Sequence, residues 1–172
     1  RAEARGLSDV RRLPGVRAEV MAPALRPDEL VPGHHIALLR DGREAYPRML
    51  EAIRSSREHV LLEMYIFAHD KWGLDFHRAL CDRARAGVKV RVMYDSLGSS
   101  DTPRDFFGEL RSAGCAVNEF NPIHTMLDPR RRRRNHRKLL VVDGRVAFAG
   151  GLHIGREYAE LWRDTAVAIR GP

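Results

Sequence analysis

The stretch from Asn135 to Tyr158, NHRKLLVVDGRVAFAGGLHIGREY, constrains the fold more than any other part of the chain. Leu139 to Val142 are strand formers, Asp143-Gly144 suits a two-residue primed turn, and Val146, Ala147 and Phe148 supply a return strand. The pattern predicts a β-hairpin, a tight corner at Gly150-Gly151 and a helix starting near Gly155. Side chains two apart on a strand share a face about 7 Å apart, so His136 and Lys138 are expected to point into one space while Arg137 and Asp143 point elsewhere. An imidazole beside an ammonium suits phosphate chemistry. The ring can attack phosphorus or protonate a leaving oxygen, and the ammonium neutralises the non-bridging oxygens.

His136-x-Lys138 with Asp143 after four intervening residues, followed by Gly150-Gly151, resembles the H-x-K-x4-D signature of the phospholipase D superfamily. HRKLLVVDGRVAFAGG, then GREY, Trp162-Arg163-Asp164-Thr165 and Ile169-Arg170-Gly171-Pro172, is similar to the first half of bacterial cardiolipin synthases. The resemblance runs from about Gly33 to the last residue. It implies a phosphatidyltransferase or phosphodiesterase that works on phospholipids through a phosphohistidine, with no metal and no other cofactor. In that superfamily the histidine of one half is the nucleophile and that of the other half the general acid, and the role His136 takes stays open.

Fold class is read from the order of patterns. Strands are expected at His35 to Arg40, His59 to Phe67, Val88 to Tyr94, Ala116 to Phe120 and Thr165 to Arg170, helices at Tyr46 to Ser56, Leu74 to Ala86 and Arg104 to Ala113, and a turn at Asp41-Gly42. Such alternation predicts an α/β fold: a mixed, mostly parallel sheet flanked by helices on both faces. Residues 1 to 32, rich in Arg and Pro, read as an N-terminal arm, and residues 33 to 172 as a single catalytic half-domain with one H-x-K-x4-D motif. A chain of 172 residues can bury a core without disulfides, and Cys81 and Cys115 read as buried thiols of a reducing compartment. No run of about 18 apolar residues suggests a membrane span. Opening on Arg1 rather than Met, the chain reads as a fragment or a trimmed protein, with room for an anchor beyond it.

The candidate catalytic set is His136, Lys138, Asp143 and Asp164. Asp143 completes the motif's spacing, yet Asp-Gly is the favoured pair for this turn and parity aims it away, which favours a structural role. Asp164 stands where resembling proteins place the carboxylate that orients the histidine. Gly151 and His153 occupy positions where the family has a small residue and an asparagine on the phosphate, and His153 departs from that asparagine. Glu63, inside an apolar strand, either supports the site or belongs to a structural ion pair. His69-Asp70-Lys71 with Asp75 mimics the motif one residue short and reads as coincidence. Asp95 lies where α/β sheets contact ligands, though Ser-Leu-Gly-Ser after it favours an ordinary turn.

The net charge of +7 rests on arginine, since only Lys71, Lys89 and Lys138 are lysines. It favours anionic partners: phospholipid headgroups at a membrane surface, nucleic acid, or phosphorylated metabolites. Arg130, Arg131, Arg132, Arg133 and Arg134 could hold such groups at the mouth of the site, or form a solvated loop. One histidine is half of what a double displacement needs, so the partner is a second H-x-K-x4-D half, from the same chain continued or from a second copy. These features support three readings: a cardiolipin synthase-like enzyme peripheral on the cytoplasmic face of the bacterial inner membrane, a homodimeric cytoplasmic nuclease, or a non-catalytic half-domain that binds anionic lipid or nucleic acid.

Overall fold

The structure is a computed structural model that describes residues 32–123 and 134–171. In chain order its elements are β1 (His35–Arg40), α1 (Asp41–Ser55), β2 (His59–Met64), α2 (Lys71–Arg85), β3 (Lys89–Asp95), α3 (Arg104–Ser112), β4 (Ala116–Phe120), β5 (Leu139–Val142), β6 (Val146–Gly150), α4 (Arg156–Glu160) and β7 (Thr165–Arg170). The strands form one seven-stranded sheet in the order β1-β7-β6-β5-β2-β3-β4. The α/β class and the mixed sheet are as the sequence leads one to expect. The balance within the sheet is not: only β2-β3 and β3-β4 pair parallel, while β1-β7, β7-β6, β6-β5 and β5-β2 pair antiparallel. Connection length accounts for part of this: parallel neighbours need a crossover of a dozen or more residues, which the segments carrying α2 and α3 supply, whereas only three residues join β5 to β6.

Alternation along each strand sends one set of side chains to a buried face, where Leu39, Ala166, Phe148, Leu140, Leu62 and Val92 are all at most 4% exposed. The helices cover this face as a single layer, α1 touching α2 and α4, and α2 touching α3 and α4. Each does so through an apolar stripe at helical spacing, such as Tyr46, Met49, Leu50 and Ile53 on α1. The opposite face carries Ile36, Leu38 and Leu61, at 70%, 71% and 37% exposure, so among the described residues helices lie on one face of the sheet rather than both. Cys81 and Cys115 are buried free thiols, and burial pushes Cys115 up to about 12.

Two aspartates adopt left-handed backbone at opposite ends of the sheet. Asp143 and Gly144 have φ of 51° and 66°, the primed geometry their sequence favours, within a three-residue rather than two-residue connection. Asp41, read as part of a turn, instead opens α1 at φ 46°, with its N–H donating to the Asp164 carbonyl at 2.9 Å. No helix among the described residues is long and apolar enough to cross a membrane.

Candidate active site

The strand directions bring five chain segments to one end of the sheet. β5 and β7 begin there, while β2, β3 and β6 end there. His136 and Lys138 precede β5, Tyr65 follows β2, Gly150-Gly151 close β6, and Asp164 precedes β7. Residues 134–138 lie outside the ladder, so the shared face of His136 and Lys138 comes from packing rather than from strand pairing. The packing centre is the Tyr65 ring. His136 meets it edge-on at 4.9 Å between centroids, and the Lys138 ammonium lies 5.7 Å from its centroid. Lys138 is 7% exposed and donates to the His136 carbonyl at 2.7 Å, while the His136 side chain reaches solvent. Burial lowers the Lys138 pKa, and the Asp164 carboxylate opposes that shift.

His153 is the third member of the group. Its ring lies 5.5 Å from that of His136, 5.6 Å from Tyr65 and 4.6 Å from Tyr158. Nδ1 accepts the Ile66 N–H at 3.2 Å, so the remaining ring hydrogen belongs on Nε2. At 6% exposure the imidazole stays neutral: burial first, then Lys138 and His136, push its pKa down to about 3. The loop carrying it is riveted by Tyr46 of α1, whose hydroxyl donates to the His153 carbonyl, is 3.2 Å from the Gly155 carbonyl and accepts the Gly155 N–H at 3.3 Å. Nothing in the sequence flagged Tyr46 or Tyr65. Each is an ordinary apolar-run residue until the chain folds more than 70 residues of separation back on it.

Gly151 leaves room for Asp164: a Cβ there would lie 2.2 and 2.4 Å from the two carboxylate oxygens, so a larger residue would displace the acid. Asp164 Oδ1 accepts the Thr165 N–H at 2.6 Å. No hydrogen bond among the described residues joins Asp164 to His136; its electrostatic influence falls on Lys138. An imidazole, an ammonium, a neutral N–H donor and a carboxylate thus stand together at one end of the sheet, a set of groups suited to phosphodiester chemistry.

A family model described as "Cardiolipin synthase, PLD-like domain" matches residues 49–172. The chain belongs to this phospholipase D-like family. Among curated relatives it is 38% identical over 143 residues to the major cardiolipin synthase ClsA of Bacillus subtilis, covering 79% of this chain and 30% of that protein. It is 40% identical over 146 residues to the cardiolipin synthase of Alkalihalophilus pseudofirmus, covering 78% and 28%. The chain thus spans under a third of the length of these relatives. Solved structures share the fold: Nuc of Salmonella typhimurium, a phospholipase D family member (TM-score 0.62, 18% identity, 80% of this chain and 84% of that one), and NucT of Helicobacter pylori (0.63, 19%, 80% and 86%).

Two residues of this phospholipase D-like domain lie elsewhere than the candidate roles suggest. Asp143 is at the opposite end of β5 from His136, and its carboxylate accepts the N–H groups of Arg57, Glu58 and His59, each at 2.9 Å. Burial alone would raise its pKa, but the backbone donors of His59, Arg57 and Glu58 outweigh it and lower the value. The last residue of the motif is a clasp on the start of β2, outside the reaction centre. Asp143→Ala is expected to cost about 1 to 3 kcal/mol in denaturant unfolding while leaving turnover per folded molecule unchanged in the complete enzyme. A loss of turnover beyond the loss of folded protein would return Asp143 to the chemistry.

The other departure is Arg134. Arg130 to Arg133 lie outside the described residues, but Arg134 turns inward, 17% exposed, donating to the Asn121 carbonyl at 3.0 Å with its guanidinium 3.7 Å from Asp95. It is an anchor rather than a headgroup contact. Asp95, fully buried, also accepts the Asn135 N–H at 3.0 Å and those of Leu97 and Gly98 at 2.9 and 3.1 Å. Glu63 accepts from the Asn135 side chain and lies 3.8 Å from the Arg137 guanidinium. Two carboxylates at neighbouring strand ends therefore grip the residue immediately before His136. Asp70 of the mimic motif caps α2, accepting the Gly73 N–H at 2.9 Å.

Proposed function

We propose that this chain is one half of a phosphatidyltransferase that acts on anionic phospholipid at a membrane surface, and that its site completes itself with a second H-x-K-x4-D half. The observation that carries this reading is the convergence of His136, Lys138 and His153 on the Tyr65 ring at one end of the sheet. The identity to cardiolipin synthases supports the lipid substrate. One imidazole nitrogen attacks phosphorus, forming P–N as the P–O bond to the departing alcohol breaks, and the imidazolium of the other half gives that alkoxide its proton. The acceptor alcohol then returns a proton to the second imidazole as its oxygen displaces the histidine. Water in place of the alcohol gives hydrolysis. His136 supplies one of the two rings.

The Lys138 ammonium and the His153 Nε2–H face the charge that builds on the non-bridging oxygens. Asp164 raises the Lys138 pKa against the larger, opposite pull of burial. Rapid acid-free quenching of the complete enzyme with labelled phosphatidylglycerol is expected to leave base-stable, acid-labile label on the protein. Turnover without such label would remove the covalent step. Asp164→Asn is expected to lower the rate and to move the alkaline limb of the pH-rate profile to lower pH, because Lys138 then loses its proton earlier; an unshifted limb would remove Asp164 from this role.

His153 gives a separate test. Its folded pKa is depressed below the ordinary 6.5, so the unfolded chain binds the extra proton first. The stability it contributes is complete above about 6.5 and is lost as pH falls toward about 3, at a slope of about 1.4 kcal/mol per pH unit. His153→Asn keeps a neutral N–H donor, so turnover is expected within about tenfold of the parent. Urea midpoints measured across that pH range should flatten in the variant, and an unchanged slope would mean the buried ring is not the titrating group.

A further inference from the structure

Two large apolar side chains stand in water beside the site. Leu161 is 72% and Trp162 is 59% exposed, directly after α4. They are not on a loose loop. Both of their N–H groups donate to the Glu157 carbonyl at 2.9 Å, and the Arg43 guanidinium, reaching from α1, donates to the Ala159 and Glu160 carbonyls at 3.3 Å. The backbone thus holds a Leu-Trp tip rigidly outward at the cost of leaving both side chains wet, and burying either would be favourable. The tip also stands close to the site. The Trp162 ring lies 5.7 Å from Tyr158, and Tyr158 lies 4.6 Å from His153.

We propose that Leu161 and Trp162 form a seating tip that enters the interfacial layer of an anionic bilayer and holds the reaction centre at headgroup depth. This rests on the phospholipid reading above. Tryptophan is at home where headgroups meet acyl chains, with its ring among the apolar groups and its N–H wet. A scissile headgroup phosphate sits at the same level, so a site two ring contacts from the tip reaches it without extracting the lipid. Charge does not oppose such a surface: Arg156 is paired to Glu160 at 2.9 Å, the exposed Arg163 beside Trp162 offsets Glu157, and the chain as a whole carries +7.

The test uses the complete enzyme carrying Leu161→Ser with Trp162→Ser, and a second variant, Trp162→Tyr, which keeps an interfacial ring. Sedimentation with phosphatidylglycerol vesicles is expected to show affinity down at least tenfold in the double variant and near the parent in Trp162→Tyr. Turnover of vesicle lipid falls with it, while turnover of monomeric dibutyryl phosphatidylglycerol stays at the parent level. Unchanged sedimentation, or equal losses on vesicle and monomeric lipid, would overturn the tip. If the parent turns over neither lipid, the proposed function fails, and the sedimentation difference alone still supports or overturns the tip.

Discussion

Replacing His136 by alanine is expected to take turnover of the complete enzyme down by at least about a thousandfold while leaving stability within about 1 kcal/mol of the parent. The split comes from how the ring is held. His136 is exposed, touches Tyr65 and His153 only through ring edges, and makes no side-chain hydrogen bond among the described residues. Little folding energy is invested in it. In a double displacement each imidazole enters both steps, one by making and breaking P–N and the other by giving and retrieving a proton. Removing either leaves no bypass within the site. A melting curve superimposable on the parent's, beside a rate at background, is the expected pair of results. Retention of a tenth of the rate would refute the assignment, and a large loss of stability would mean that His136 is there for packing.

How much of this was legible in the sequence depends on how local each cause is. The bounds of β1, β4 and β7 come from short apolar alternation and agree with the structure, as does the hairpin with its Asp-Gly turn. The start of α1 does not, because Asp41-Gly42 reads as a turn until a carbonyl at Asp164 is brought against the Asp41 N–H. The same holds at the site. The motif names His136 and Lys138, and Gly151 and Asp164 come with its flanks. Tyr65, Tyr46 and Asp95 reach their partners across 71, 107 and 40 residues of chain, a separation at which spacing carries no signal. Asp143 pulls both ways: spacing puts it in the motif, while the Asp-Gly pair and strand parity favour a structural role, and the fold uses it to clasp β2 at the far end of the sheet.

Asp95→Asn is expected to cost about 3 kcal/mol of stability and at least tenfold in turnover, although it changes one atom of a residue that touches no substrate. The carboxylate is fully buried and, among the described residues, is approached only by donors: the N–H groups of Leu97 and Gly98 on Oδ1, that of Asn135 on Oδ2, and the Arg134 guanidinium. An amide in its place still accepts from Leu97 and Gly98, but its NH2 then meets the Asn135 N–H head-on, and Arg134, only 17% exposed, loses its counter-charge. Asn135 must shift, and His136 is the next residue. Glu63→Gln is the control. The amide oxygen that replaces the carboxylate can go on accepting from the Asn135 side chain, and the Arg137 it releases is 79% exposed, so less than about 1 kcal/mol and little activity should be lost. Unfolding midpoints and rates for the two variants side by side decide the matter. If Asp95→Asn were as stable and as active as Glu63→Gln, the position of His136 would be set by Tyr65 and the sheet edge alone, with no contribution from the buried acid.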